Sequence, residues 1–187
     1  MRIVGGRLRG RVLVQPKSQA VRPTADRLRE ALFNILTHAY GDPITGARVL
    51  DLFAGTGALG IEALSRGADF TLFVDEGAEA RGLLRENAVT LGLGGSTRIF
   101  RRDATKLGEA RPIEPFSLVF LDPPYSRGLA EKALLSARAG GWLARGALIV
   151  VEEAASAFLT PEGFVENERR RYDDTEFVFL HLAASAP

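Results

Sequence analysis

The sequence predicts a doubly wound, Rossmann-like α/β fold: a mostly parallel sheet finished by an antiparallel hairpin. Three observations carry that expectation. From residue 48 onward short apolar runs alternate with stretches of helical periodicity, the first run ends in a glycine-spaced turn, and the last two runs flank a tight polar turn. Strands separated by helices run parallel, with helices covering both sheet faces.

Ahead of the alternating region, Arg2–Val4 and Leu8–Val14 read as two short strands of an N-terminal β-hairpin arm. Gly5, Gly6 and Gly10 supply the backbone freedom for a turn or bulge between them. Pro16 and Pro23 bracket a loop, and Thr24 is a good N-cap for a helix over Ala25–His38. Leu28, Ala31, Leu32, Ile35 and Leu36 recur at helical spacing as its buried stripe, with Arg22, Asp26 and Arg29 off it. Val49–Phe53, Phe70–Val74, Thr97–Phe100, Phe116–Leu121 and Ala147–Val151 read as strands buried on both faces, hence parallel. Helices are expected over Ala58–Ser65, Ala78–Leu91 and Leu129–Ala139, with a weaker turn after Asp103. Val165–Arg171 and Glu176–Leu182 flank Tyr172-Asp173-Asp174-Thr175 and form the antiparallel pair. With 187 residues and no repeat or linker, the chain reads as one domain over 1–187, residues 1–24 being a basic extension.

The formal net charge of +1 conceals an asymmetry: residues 1–30 carry +6 and residues 31–187 carry −5. Arginine accounts for 21 of the 24 basic residues, and its planar fork suits phosphate and stacks on bases. Arg2, Arg7, Arg9, Arg11, Arg22 and Arg27 are therefore candidate contacts to a polyanion, against the equally open reading of a solvated arm. The absence of cysteine excludes disulfides and thiolate metal sites. No run nears the ~20 apolar residues of a membrane span, nor does the N-terminus resemble a secretory signal. A cytoplasmic, monomeric protein without membrane contact or metal is the expectation.

After the first core strand, Gly55, Gly57 and Gly60 satisfy G-x-G-x-x-G on a strand-to-helix turn. Such a turn lets a nucleotide or nucleoside approach the backbone, so Phe53, Ala54, Gly55, Thr56 and Gly57 form a candidate cofactor cradle. Two acids sharpen the choice. Asp51 stands where a carboxylate would repel a pyrophosphate yet suits the ammonium of a methionine moiety. Asp75 ends the next strand, where a carboxylate accepts ribose hydroxyls. Together they point to S-adenosylmethionine, with S-adenosylhomocysteine as product, rather than NAD; two helix-capping aspartates would be the structural alternative. Asp103, with the Ala104 amide, is a candidate partner of the adenine and equally a cap for the turn that follows it.

The fourth strand runs into Asp122-Pro123-Pro124-Tyr125 at the carboxyl end of the sheet, where open α/β folds bind ligands. Consecutive prolines stiffen the backbone, presenting the Asp122 carboxylate and the Pro123 carbonyl as fixed acceptors. The lone pair of an exocyclic base amine is delocalised into the ring. Two acceptors holding its N–H bonds favour a pyramidal nitrogen aimed at a methyl donor, and Asp122 stabilises the positive charge that builds there. Tyr125 offers a face for a base removed from its stack. Taken singly, the tetrapeptide is more often a rigid exposed turn. Trp142 reads as packing, His38 as a helix-end residue and His181 as structural, while Arg169-Arg170-Arg171 could face phosphates or solvent.

At these residues the chain resembles the RsmD family of bacterial 16S rRNA guanine-N2 methyltransferases. The resemblance rests on Arg2-Ile3-Val4-Gly5-Gly6, Arg9-Gly10-Arg11, Arg22-Pro23-Thr24, Asp26-Arg27 and Arg29-Glu30-Ala31-Leu32-Phe33-Asn34. It continues through Val49 to Gly60 and Asp122-Pro123-Pro124-Tyr125. It implies a seven-stranded class I methyltransferase fold and methylation of a guanine N2 in 16S rRNA of the assembled or nearly assembled small subunit. Carried over, Gly55, Gly57, Asp75 and Asp103 would hold the cofactor, Asp122 to Tyr125 the target base, and the arm with Arg22 and Thr24 the RNA. Two departures stand out: Asp75-Glu76-Gly77 replaces a glutamate-lysine-aspartate, and Tyr172-Asp173 a tyrosine-glycine. Adenine-N6 methylation of DNA or RNA uses the same Asp-Pro-Pro-Tyr box and is the nearest rival. An NAD-dependent oxidoreductase and a non-catalytic RNA-binding module are further alternatives.

Overall fold

The computed structural model describes residues 1–16 and 23–183. The strands are β1 Arg48–Leu52, β2 Phe70–Val74, β3 Thr97–Phe100, β4 Phe116–Leu121, β5 Leu143–Ala154, β6 Phe164–Tyr172 and β7 Thr175–Leu182. The helices are α1 Pro23–Ala39, α2 Ala58–Ser65, α3 Ala78–Thr90 and α4 Leu129–Ala139, and Ala104–Lys106 is a single 3-10 turn. The seven strands lie in the order β3-β2-β1-β4-β5-β7-β6, with β6 and β7 antiparallel and the first five parallel. This is the Rossmann-like class I methyltransferase fold that the family resemblance implies, its parallel part matching the alternating pattern and its antiparallel end the terminal hairpin. Among the described residues no helix is long and apolar enough to cross a membrane.

Strand alternation sorts the core onto two faces. Val49, Phe73, Leu118, Phe120, Val150 and Phe177 pack with Leu32, Phe33 and Leu36 of α1, Ile61 of α2 and Leu84 of α3. Leu50, Leu72, Val119, Leu121, Ile149 and Val178 pack on the other side with Ala130, Ala133, Leu134 and Ala137 of α4. Trp142 is fully buried there, stacked on Phe116, with Nε1 donating to the Gly108 carbonyl at 2.8 Å.

Several local expectations are corrected. β3 is the edge strand and is only half buried, since among the described residues no strand pairs with its outer side. β5 runs well beyond Ala147–Val151 at both ends. A bulge opposite Phe116 and Leu118 lets it continue past the polar Arg145-Gly146, and pairing with β7 carries it to Ala154. α1 opens on Pro23, which needs no N–H in a first turn, so Thr24 lies inside the helix rather than capping it. The loop expected before it, with Arg22, falls outside the described residues.

The N-terminal arm is a looser hairpin than two strands. One bridge joins Arg2 to Val12, a 3-10 turn occupies Gly6–Leu8, and backbone bonds from Ile3 to Arg11 and Leu13 to Met1 close the loop. What holds it is α2. Glu62, fully buried, accepts from the Val4 and Gly5 amides at 2.9 and 2.8 Å, from Arg29 Nε at 3.4 Å and from Arg66 Nε at 2.8 Å. Arg29 is thereby buried between Glu62, Asp26 and the Arg2 carbonyl, not on an outer face. Glu62→Ala strands the buried Arg29 charge and two arm amides, and is expected to destabilise the fold by about 3–5 kcal/mol in denaturant unfolding at neutral pH.

Candidate active site

The turn between β1 and α2 is built from backbone conformations that few residues accept. Gly55 and Gly57 have φ of 57° and 83°, and Phe53, a non-glycine, sits at 60°. A residue that large in the left-handed region is strained, and such strain persists where surrounding structure enforces it. The glycines divide their work. A Cβ on Gly55 would meet nothing within 4 Å, since this residue borders open space. A Cβ on Gly57 would stand 2.2 Å from Leu84, and one on Gly60 2.4 Å from Phe73 and 2.9 Å from Asp51 Oδ2. Gly57 and Gly60 therefore serve close packing of α2, while Gly55 alone of the three lines the cavity.

Asp51, at 1% exposure, receives the Gly60 amide on Oδ2 at 2.9 Å. Burial pushes its pKa up to about 8, and the neighbouring Asp75 charge adds to the rise against the Gly60 bond. Asp75 accepts from the Gly55 amide at 2.9 Å and the Gly77 amide at 2.7 Å, so each oxygen already orders one side of the cleft. Asp103 takes the capping role left open by the sequence: Oδ1 accepts from Thr105 N at 2.8 Å and Thr105 Oγ1 at 2.7 Å. Ala104 lines the cavity wall that Asp75 shares.

Asp122 follows β4 directly, its amide donating to the Leu52 carbonyl at 3.4 Å. Its side chain is exposed and lines the cleft. Loss of bulk water at that depth, then the Glu152, Asp51 and Glu153 charges, raises its pKa well above the ordinary carboxylate range. Tyr125 keeps 42% of its surface exposed while its hydroxyl lies 3.1 Å from Glu152 Oε1 and 3.3 Å from Thr175 Oγ1. The ring is tethered at one end with a face left open. Glu153, buried, accepts from the Ser126 amide at 2.8 Å and fastens the far side of the Asp-Pro-Pro-Tyr loop to β5.

Two cavities meet at these residues. One of about 300 Å³ is lined by Asp51, Ala54, Thr56, Glu79 and Leu83, with Met1 and Pro16 of the arm along its rim. The other, about 540 Å³, is lined by Asp75, Gly77, Ala104, Pro123 and Pro124. Phe53, Gly55 and Asp122 belong to both, so the two are lobes of a single cleft.

The sequence model of the family described as "Conserved hypothetical protein 95" matches residues 1–181. The chain belongs to this family, the RsmD family. An RsmD-family relative from Escherichia coli K12, "Ribosomal RNA small subunit methyltransferase D", is 43% identical over 152 residues, 81% of this chain and 74% of its own. The protein of the same description from Haemophilus influenzae is 36% identical over 167 residues, 88% of this chain and 84% of its own. The solved structure of yhhF from Escherichia coli aligns over 99% of both chains with a TM-score of 0.82 and 35% identity.

In this RsmD-family chain the structure adds residues that the motifs did not reveal. Met1 and Pro16 reach the smaller lobe because the arm is docked, not free. Asn87, buried on α3, accepts from the Val14 amide at 2.7 Å and donates to the Val14 and Thr56 carbonyls at 3.2 and 3.1 Å, tying arm to glycine turn. Glu152, which lines neither lobe, stands close enough to Asp122 for its charge to act on it and accepts from the Tyr125 hydroxyl, a strand acid that the apolar pattern of β5 conceals. Arg2, Arg7, Arg9, Arg11 and Arg27 are exposed, while the side chain of Thr24 and all of Arg22 lie outside the described residues. Arg169 and Arg170 are engaged by Glu166, Glu176 and Glu168, and Arg171 Nε donates to the Asp173 carbonyl, so these arginines serve the hairpin.

Proposed function

We propose that this methyltransferase transfers the methyl group of S-adenosylmethionine to the exocyclic N2 of a guanine in 16S rRNA, acting as a cytoplasmic monomer on assembled or nearly assembled small subunits. The observation that carries the reading is the shared cleft: the glycine-turn acids and the Asp-Pro-Pro-Tyr loop converge on Asp122, Phe53 and Gly55. The relatives described as small-subunit rRNA methyltransferases support the substrate class.

The donor set fits a sulfonium nucleoside. Asp75, between the Gly55 and Gly77 amides, retains lone pairs for ribose hydroxyls, and Ala104 borders the place of an adenine, while Asp103 beside it caps the turn on Thr105. Asp51, buried with one oxygen on the Gly60 amide, suits an ammonium. Phe53, Ala54, Thr56 and Gly57 shape the turn between them. S-adenosylmethionine, when bound, supplies an electrophilic methyl group on sulfur and leaves as S-adenosylhomocysteine.

The remaining work falls to the chain. Asp122 and the Pro123 carbonyl accept the two N–H bonds of the amine and fix its lone pair in direction. The N–CH₃ bond forms as the S–CH₃ bond breaks, and the nitrogen must shed one proton. Asp122 is suited to take it, because its surroundings raise its proton affinity. Tyr125 holds the base on its exposed face, with Pro124 keeping the loop rigid.

Incubating small subunits from cells lacking the protein with methyl-labelled S-adenosylmethionine, then mapping the label by nuclease digestion and mass spectrometry, tests the assignment. N2-methylguanosine at one position of 16S rRNA is expected; N6-methyladenosine would transfer the reading to its rival.

Phosphate contacts carry the RNA affinity in this account. Replacing Arg9 and Arg11 together by alanine is expected to weaken subunit binding and reduce the slope of log K against log salt by about one per arginine. An unchanged slope in a filter-binding titration would remove the arm from the interface.

A further inference from the structure

The carboxyl ends of β1, β4 and β5 set three carboxylates on one face of the sheet. Register pairs Leu52 with Leu121 and Leu121 with Val151, so Asp122 and Glu152 each stand one residue beyond a matched position on adjacent strands. Asp122 continues the alternation of Phe120, and Glu152 that of Val150, both on the face that packs against α1. Neighbouring strands lie about 4.8 Å apart, which puts the two acids side by side above the Asp-Pro-Pro-Tyr loop.

Glu152 is half-buried and uses Oε1 for the Tyr125 hydroxyl, while among the described residues Oε2 makes no hydrogen bond. Arg29, whose charge acts on Glu152, makes its hydrogen bonds elsewhere: its guanidinium donates to Asp26, Glu62 and the Arg2 carbonyl. Two adjacent acids that form no ion pair with a cation among the described residues call for a ligand that offers donors on neighbouring atoms. The Watson–Crick edge of guanine does so, with N1–H beside the N2 amine. Adenine instead presents N1 as an acceptor next to its amine, which a carboxylate opposes.

We infer that Glu152 is a specificity-determining residue: its free carboxylate oxygen accepts the N1–H of the target guanine while Asp122 and the Pro123 carbonyl hold N2. This deepens the guanine-N2 assignment and rests on it. The Asp-Pro-Pro-Tyr box grips any exocyclic amine; the acid on the next strand chooses the base that carries it. Tyr125, tethered to the other oxygen of Glu152, then sets the stacking platform and the base-reading group in one fixed relation.

The test uses small-subunit particles in which the mapped target nucleotide is either guanine or 2-aminopurine, which keeps the 2-amino group but has no N1–H. Initial rates of label transfer are compared for the wild type, Glu152→Gln and Tyr125→Phe. A site that relies on a buried hydrogen bond rejects an analogue lacking it strongly, so the wild type should favour guanine by at least about a hundred-fold. Glutamine can donate to the acceptor N1, so Glu152→Gln should narrow the preference to about ten-fold or less, with S-adenosylhomocysteine affinity unchanged within about two-fold. Tyr125→Phe removes the tether and keeps the carboxylate, so it should retain the wild-type preference even where its rate falls. An undiminished preference in Glu152→Gln, or an equal narrowing in Tyr125→Phe, overturns the inference and leaves Glu152 as a tyrosine anchor. Failure of the wild type to label the guanine particle would instead overturn the guanine-N2 assignment itself.

Discussion

Asp122→Ala is expected to lower methyl transfer by at least about a thousand-fold while leaving S-adenosylhomocysteine affinity within a few-fold. Asp122 borders both lobes of the cleft, in the proposed reaction it holds the amine, and the Glu152, Asp51 and Glu153 charges act on it. Removing it takes away the acceptor that orients the nitrogen and the group suited to receive its proton. The side chains that would hold the cofactor, Asp51 and Asp75, keep their Gly60, Gly55 and Gly77 partners. The pH profile of the wild type carries the same signature. Asp122 must be ionised to take the amine's proton, and its pKa is raised by desolvation within the cleft and by the Glu152, Asp51 and Glu153 charges. Single-turnover transfer should therefore decline with acidity well before an ordinary carboxylate would titrate. A rate independent of pH down to 5, or a merely ten-fold loss in Asp122→Ala, would remove the carboxylate from the chemistry.

Asp51→Asn should stabilise the cofactor-free protein at alkaline pH and cost at least about ten-fold in cofactor affinity. The folded-state pKa of Asp51, about 8, lies above its ordinary 3.8, so the folded chain binds more protons than the unfolded one between these values. Stability contributed by this site is thus lost as pH rises through that window. Asparagine can still accept from the Gly60 amide and never ionises. The variant should melt higher than wild type at pH 8.5 and at nearly the same temperature at pH 4. Because an ammonium favours the ionised carboxylate, wild-type binding of S-adenosylhomocysteine at pH 7 should release a proton, seen by calorimetry in buffers of different ionisation enthalpy. The variant should release none from this site. Equal affinities and equal proton release would place the ammonium elsewhere.

Features written in consecutive residues were legible, and features made by distant residues were not. The parallel strands are marked by short apolar runs and the terminal hairpin by its tight polar turn, and β2, β3 and β4 fall on their expected residues. The glycine turn and the Asp-Pro-Pro-Tyr box are local motifs whose meeting at Asp122 follows from β1 and β4 being neighbours. The arm is another matter. Its geometry is imposed by Glu62, Ser65 and Asn87, which lie 57 to 73 positions further along the chain in the bonds they make, so its own residues overstate its strand character. Arg29 misleads for the same reason: a charged residue off an apolar stripe is ordinarily solvated, and only Glu62 and Asp26 make its burial tolerable. Glu152 carries no local signal at all; its meaning arises from the register that sets it beside Asp122.

The most direct measurement is a crystal structure of the protein with S-adenosylhomocysteine. The account places the amino group against Asp51, the ribose on Asp75 and the sulfur at the junction of Phe53, Gly55 and Asp122, with an open path to the Pro123 carbonyl. A ligand bound with its sulfur turned away from Asp122, or closed off from the Asp-Pro-Pro-Tyr loop, would contradict it.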